Sequence, residues 1–291
     1  MNIAFISYEY PPETGGGGIG TYLETIVPAL RKKGHTAIVF AGTLKKVGFW
    51  ENDFIFRVPC SQMSYFNDGV LPYFDQIHKE LNFEIIEGTD FKGWGIKIKQ
   101  NYPEIPLIAK LHTPSYLVDQ LHFKPLSFKS KIRFSLGAFK KLKLPKFPKI
   151  KISNYKSEFD LLKFANSYHS PSISIAKRLK AMNMLNGQIP TEIFPYPIHV
   201  DENIVNLIPR KKHGSIEVIF LGRMEIRKGV VELAKAIPYI LAKHPHTHFT
   251  FVGNPADSPQ KGLDMMSYLK KLLLPFKNQV TFTGRVAHSQ I

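Results

Sequence analysis

The chain has 291 residues, 44% of them hydrophobic, and its 39 Lys and Arg outweigh 23 Asp and Glu for a net charge of +16. That length exceeds one average domain and favours two, and the apolar share marks a globular protein. A single cysteine, Cys60, excludes an internal disulfide and fits a reducing cytosol, where its simplest role is that of a small packed hydrophobe beside Pro59.

The N-terminus, Met1-Asn-Ile-Ala-Phe-Ile-Ser-Tyr-Glu-Tyr10, lacks a basic lead and its apolar run is too short for a signal peptide. No stretch nears the ~20 apolar residues of a membrane span, so a cytoplasmic protein is expected. Ile3–Tyr8 reads as a buried strand. Thr21–Lys33 reads as a helix, apolar at Leu23, Ile26, Val27 and Leu30, with a kink expected at Pro28. Gly34 is its C-cap, after a basic turn that suits the helix dipole. Thr36–Phe40 is the second strand, and this strand–helix–strand order predicts an α/β fold with parallel sheets.

Further strands are predicted at Glu84–Ile86, Leu107–Leu111, Ser167–His169 and Glu192–Phe194. Pro195-Tyr-Pro197 and the polar run Asp201–Gly214 read as a linker. A fresh unit follows: strand Glu217–Leu221, helix Val230–Lys243, strand His248–Val252, helix Leu263–Leu274 and strand Gln279–Thr283. The predicted domains are 1–205 and 206–291. The second, with three strands in roughly 80 residues, is small, and a fragment lacking later strands is expected.

Two turns carry the candidate chemistry. In Val218-Ile-Phe-Leu-Gly-Arg-Met-Glu-Ile-Arg-Lys-Gly229 a short apolar strand runs into a glycine turn that presents Arg223, Arg227 and Lys228 before a helix. Unpaired N–H groups at a helix start attract phosphate, and arginine and lysine add a planar fork and a point charge. The bland alternative is a helix start with ordinary surface cations. Gly15-Gly-Gly-Gly-Ile-Gly20 is a second turn of this kind, after the first strand. Gly15, Gly17 and Gly20 fit G-x-G-x-x-G, but Glu9–Thr14 intervenes and no carboxylate ends the second strand, which disfavours a dinucleotide site. Thr21 in place of lysine excludes a P-loop. What remains is a loop whose N–H groups approach a diphosphate or sugar, or a merely flexible one.

His112 ends a strand in Lys110-Leu-His-Thr-Pro-Ser115, at the strand end where ligands sit in open α/β sheets; a structural histidine is the alternative. His244, His246 and His248 alternate on a short polar connection and read as surface residues. There is no Asp-x-Asp, so no carboxylate pair offers itself to a metal-held diphosphate, and a metal-free mechanism is expected.

Between His122 and Ser157 stand eleven Lys and Arg and no acid. Phe128, Ile132, Leu136 and Phe139 fall at helical spacing, while Lys129, Arg133, Lys140, Lys141 and Lys143 lie largely on other faces. Such a basic amphipathic insertion is expected to contact an anionic membrane surface. Nucleic acid competes through backbone neutralisation, but aromatic stacking motifs are missing. No nucleic-acid partner is expected, and a solvated charged face remains the alternative.

Taken in order, Tyr10-Pro-Pro-Glu-Thr-Gly-Gly-Gly-Gly-Ile-Gly-Thr-Tyr22, Gly34-His35, Glu87-Gly-Thr-Asp-Phe-Lys-Gly93, Leu111-His-Thr-Pro114, Ser170-Pro-Ser172, Phe220–Gly229, Phe251-Val-Gly253 and Val280–Gly284 resemble family-4 retaining glycosyltransferases. The resemblance covers nearly the whole chain outside 120–157. It implies the GT-B architecture of two facing Rossmann-like domains, the second incomplete here. It implies that Gly16, Gly17, Gly18, Gly222, Arg223 and Lys228 contact a UDP-sugar or GDP-sugar donor. Arg223 and Lys228 would stabilise the diphosphate leaving group, and His112 would hydrogen-bond the transferred sugar. The family's acidic E-x7-E motif would lie beyond Ile291.

The expectation is a retaining hexosyltransferase without cofactor or metal. It would extend a saccharide or lipid-linked acceptor in cell-surface polysaccharide synthesis, peripherally bound at the inner face of a membrane. The rival class is a noncatalytic nucleotide-binding or polyanion-binding protein.

Overall fold

A computed structural model describes residues 1–15, 17–122, 132, 135–137, 150–197, 216–260 and 262–286. The chain divides into two compact units, Met1–Asp201 and Glu202–Ile291.

The first unit is built on an eight-stranded sheet in the order β3-β4-β2-β1-β5-β6-β7-β8. The strands are β1 Asn2–Ile6, β2 Thr36–Thr43, β3 Phe49–Trp50, β4 Ile55–Pro59, β5 Ile85–Thr89, β6 Leu107–Lys110, β7 Ser167–Ser170 and β8 Thr191–Ile193. All pairs are parallel except β3 with β4. Helices cover the sheet: α1 Gly18–Lys32, α2 Phe66–Leu81, α3 Ile96–Asn101, α4 Ser115–His122, α5 Lys156–Phe164 and α6 Ile173–Ala181. In β1 every residue from Ile3 to Ile6 is buried, as expected of a central parallel strand covered on both faces.

Several boundaries differ from the sequence reading, each for a local reason. The first strand ends at Ile6, because Ser7 Oγ accepts from Glu9 N and donates to Glu9 O and so turns the chain. The first helix starts at Gly18, after an extended N-cap at Gly17, and runs through Pro28, whose ring faces solvent. Gly34 follows its cap at φ +86°, and its N–H donates to Arg31 O at 2.9 Å. The β4 strand and α2 have no counterpart in the sequence reading. The run Ile55-Phe-Arg-Val-Pro59 has a charge at its centre, and Gly69 and Pro72 interrupt the apolar stripe Phe66, Val70, Phe74 and Ile77. Tertiary burial overrides both signals.

The second unit holds a parallel three-stranded sheet in the order β11-β10-β9. Its elements are β9 Ile216–Leu221, a single 3-10 turn Ile226–Lys228, α7 Val230–Lys243, β10 Thr247–Val252, α8 Met265–Leu272 and β11 Val280–Gly284. Helix α8 begins at Asp264, whose carboxylate accepts from Ser267 N at 2.7 Å, and is shorter than the predicted Leu263–Leu274 because Pro275 sets a separate 3-10 turn after it. Val230, Ala234, Ile237 and Leu241 pack with Phe249, Phe251, Met265 and Leu269 into its core.

Candidate functional site

The strand order of the first unit reverses between β1 and β5, which makes a crevice at their C-terminal ends. The glycine loop leaves β1 into this crevice. Its approach is held down: the Thr14 hydroxyl donates to Tyr8 O at 2.6 Å and accepts from Tyr10 N at 3.2 Å. Arg57 of β4, fully buried, donates to Tyr10 O at 2.9 Å and Pro11 O at 3.2 Å and pairs with Glu51. The charge that hid β4 in the sequence thus anchors the loop.

Gly15 sits at φ +82°, where an added Cβ would also stand 2.7 Å from Glu9 Cβ. A Cβ on Gly20 would stand 2.7 Å from Pro11 Cδ, so glycine lets the helix start lie against the loop. Gly17 and Gly18 are exposed, and a Cβ on Gly18 would meet nothing. Gly16 lies outside the described residues, as do Lys129, Arg133, Lys140, Lys141 and Lys143 of the basic insertion. Within that insertion Ile132 and Leu136 are described; they are helical and exposed, at 46% and 58%.

His112, just past β6, stands beside the crevice with its ring between two tyrosines. Tyr196 stacks on it at 5.4 Å and 18°, and Tyr22 of α1 meets it edge-on at 5.5 Å. The Tyr196 hydroxyl and His112 Nδ1 are 2.7 Å apart. His112 Nε2 is buried and has no hydrogen-bond partner. Burial, then the charge of Lys110, push the imidazole down to about 3, so it is neutral at ordinary pH. With the tyrosine donating to Nδ1, the ring proton belongs on Nε2, which makes that atom a donor. Tyr196, within the stretch whose sequence reads as a linker, packs against His112 in the candidate site.

Three more buried groups surround this ring. Glu87 of β5 accepts from the Tyr22 hydroxyl at 3.1 Å, and burial raises its carboxyl to about 7 against the opposing pull of Lys110 and Tyr22. Asp90 Oδ1 accepts from His112 N at 2.8 Å and Thr113 N at 3.3 Å, while Oδ2 has no partner. Burial raises Asp90 to about 7, opposed by the His112 amide. Lys110, 3% exposed, lies over the Tyr22 ring at 4.5 Å and the Tyr196 ring at 5.5 Å. Its ammonium makes no hydrogen bond or ion pair among the described residues, and burial lowers its pKa, countered by Glu87. Each ring face attracts the ammonium, by about 0.5–1 kcal/mol where the site is open to water and about 2 kcal/mol where it is not. Sequence spacing held a signal here: Lys110 and His112 are two apart at a strand end and so lean to one side.

Glu158 of α5 ties the neighbouring loops together. Its Oε1 accepts from Lys92 N and Ser115 N, both at 2.9 Å, and from the Ser115 hydroxyl; Oε2 accepts from Tyr116 N at 3.0 Å. A cleft of about 470 Å³ opens beside the loop after β5, with Asn67, Lys92, Lys97 and Tyr155 in its walls, and shares none of its lining with His112 or Lys110.

In the second unit, Gly222 follows β9 at φ +137°, and Lys228 Nζ stands 2.9 Å from where its Cβ would be. Gly253 lies so close that a Cβ there would stand 2.1 Å from Gly222 O. Met224 is locked beneath this turn, its N–H donating to Asn254 O at 2.8 Å. Arg227 pairs with Glu225 at 2.7 Å. Arg223 and Lys228 are exposed and make no such pair among the described residues. The 3-10 turn, which Lys228 ends, and Gly229, at φ +71°, stand between the glycine turn with Arg223 and α7, so the helix does not follow that turn at once. Among the described residues no three His, Cys, Asp or Glu side chains are grouped to hold a metal ion, and no helix is long and apolar enough to cross a membrane.

Residues 215–291 match the family model of the Glycosyl transferases group 1. The chain is 21% identical over 289 residues to spore coat protein SA of Bacillus subtilis (strain 168), across 97% of this chain and 68% of that protein. Among solved structures it is similar to sucrose-phosphate synthase from Thermosynechococcus elongatus, with a TM-score of 0.65 and 15% identity over 100% of this chain and 72% of the other. It is also similar to the catalytic domain of starch synthase IV from Arabidopsis thaliana bound to ADP and acarbose, with a TM-score of 0.60 and 12% identity over 99% of this chain and 75% of the other. The fold is GT-B: α/β, a mainly parallel eight-stranded sheet and a second parallel sheet.

Proposed function

We propose that the chain belongs to a retaining glycosyltransferase that moves a hexose from a UDP-sugar or GDP-sugar to a saccharide or lipid-linked acceptor in cell-surface polysaccharide synthesis. The observation that carries the reading is the turn Gly222–Gly229, inside the segment that matches the glycosyl transferases group 1. There two cations without acid partners among the described residues, Arg223 and Lys228, stand at the C-terminal end of a parallel strand. Such cations suit a diphosphate, and they stabilise the charge that grows on it as the glycosidic bond breaks. They would do so without a metal ion. His112, neutral and with a free Nε2, suits a hydroxyl of the transferred sugar. The ADP and acarbose bound to the starch synthase that shares this fold support a nucleotide product and a saccharide ligand.

The measurement is release of UDP or GDP from a panel of sugar nucleotides in the presence of saccharide acceptors. Arg223→Ala is expected to lower kcat/KM by about 100-fold, the scale of losing one charge-stabilising donor. Donor binding without turnover would identify a noncatalytic nucleotide-binding protein instead; no binding at all, unchanged in Arg223→Ala, would sink both readings. The basic insertion, with Ile132 and Leu136 exposed, supports peripheral attachment to the inner face of a membrane. Co-sedimentation with anionic vesicles measures that part separately.

A further inference from the structure

Lys110 is an anomaly among the charged groups buried in the first unit. Arg57, equally enclosed, has a carboxylate and two carbonyls of the glycine-loop approach as partners. Glu158 accepts four hydrogen bonds. Lys110, at 3% exposure overall, lies against the faces of Tyr22 and Tyr196 and has no protein acceptor among the described residues, and its ammonium, unlike His112 Nε2, still reaches solvent. The same two rings flank His112, whose buried Nε2 is also without a partner. One local cluster therefore holds a buried donor and a solvent-reached cation without protein acceptors among the described residues, at the strand ends where an open α/β sheet takes its ligand.

From this geometry we infer that Lys110 and His112 together form a subsite for an anionic oxygen group, a carboxylate or a phosphate, on the sugar that enters this crevice. The inference rests on the glycosyl-transfer reading for its ligand class and deepens it: the sugar is acidic or phosphorylated. The ammonium supplies the charge and Nε2–H a directed hydrogen bond. Glu87 is already engaged by the Tyr22 hydroxyl and makes no ion pair with Lys110 among the described residues, so it does not fill the role. A wholly structural lysine would satisfy its donors within the fold, as Arg57 and Lys99 do; Lys99 Nζ donates to Pro103 O at 2.7 Å and Ile105 O at 2.8 Å.

The test is calorimetry on the full chain with two matched pairs: UDP-glucuronate against UDP-glucose, and glucose 6-phosphate against glucose. The acidic member of at least one pair is expected to bind ten-fold or more tightly than its neutral counterpart. Which pair responds distinguishes a carboxylate on the donor from a phosphate on a sugar. Lys110→Met should abolish that preference while leaving UDP affinity unchanged, and Lys110→Arg should retain most of it. Should Lys110→Met fail to fold, the 15N resonance of His112 Nε2 in the native chain is read instead, and it must shift with the acidic probe and not with the neutral one. No preference within either pair, or a preference that survives Lys110→Met, overturns the subsite. Failure of UDP itself to bind counts against the donor reading alone, since the glucose pair does not depend on it.

Discussion

At the scale of single residues, the site is a set of buried groups whose protonation is set by burial, and this gives a signed pH dependence. Asp90 titrates near 7 in the fold against about 3.9 when unfolded, so between those values the native state binds more protons. Its contribution is therefore present at low pH and lost as pH rises through about 7. Glu87 has the same sign. His112 has the opposite sign: it titrates near 3 folded and about 6.5 unfolded, so stability gains as pH rises across that interval. From about pH 4.5 to 6.5 Asp90, Glu87 and Glu9 lower stability with rising pH, and His112 and His169 raise it. Asp90→Asn keeps the Oδ1 acceptor for the His112 and Thr113 amides and removes one falling slope. Melting temperatures taken at pH 5 and pH 6.5 are expected to differ in the parent chain, lower at the higher pH, and to coincide within a degree or so in Asp90→Asn. An equal difference in both would show that Asp90 ionises freely in the fold. The place of His112 and Arg223 just past strand ends, and of Lys228 in the turn that follows, was legible from pattern and residue type. Tyr196 and Tyr22 were not, because a ring reaching across from a distant segment leaves no periodic trace.

Among the elements, the basic insertion is held at its base. Helices α4 and α5 flank it and are clasped: Tyr155 donates to Asp119 Oδ2 at 2.7 Å, and Tyr116 packs on Tyr155 at 5.2 Å and Phe159 at 5.3 Å. Glu158 adds its hydrogen bonds to the first turn of α4 and the loop after β5, where an anion suits the helix N-terminus. A clasp of this kind holds both ends of the insertion whatever lies between them. Replacing residues 124–149 by a Gly/Ser linker is therefore expected to leave the melting temperature within about 3 °C, since loop length enters the closure entropy only logarithmically. The same replacement should remove most binding to anionic vesicles, because the segment holds most of the excess charge. Retained vesicle binding would relocate the membrane surface; collapse of the fold would mean that the insertion packs on the unit. The sequence made the insertion visible through its charge, but its clasp depends on Glu158 meeting backbone amides more than 40 residues earlier in the chain, which composition does not report.

For the whole molecule, the two units differ in how completely their sheets are covered, and this sets the last expectation. In the first unit, β1 and β2 are buried along nearly their full length, as parallel strands between helical layers should be. The register in the second unit sorts its strands into two faces. Val218, Phe220, Phe249, Phe251, Val280 and Phe282 line the face under α7 and α8, and Ile219 and Leu221 point the other way, 62% and 54% exposed. β9 was readable in the sequence as a short apolar strand; that one face stays uncovered among the described residues was not, because the pattern Ile-Glu-Val-Ile-Phe-Leu is that of a strand buried on both sides. Each exposed aliphatic side chain forgoes about 1.5–3 kcal/mol of burial, and apolar residues grouped on a strand face favour association. The 291-residue chain is therefore expected to self-associate at tens of micromolar and to enhance ANS fluorescence. Ile219→Thr with Leu221→Thr should weaken both signals without lowering the melting temperature, since the changes leave the packed face alone and keep a β-branched or strand-compatible residue at each position. Light scattering across a dilution series decides it: a monomer at every concentration, with no ANS response, would mean that this face is covered in solution.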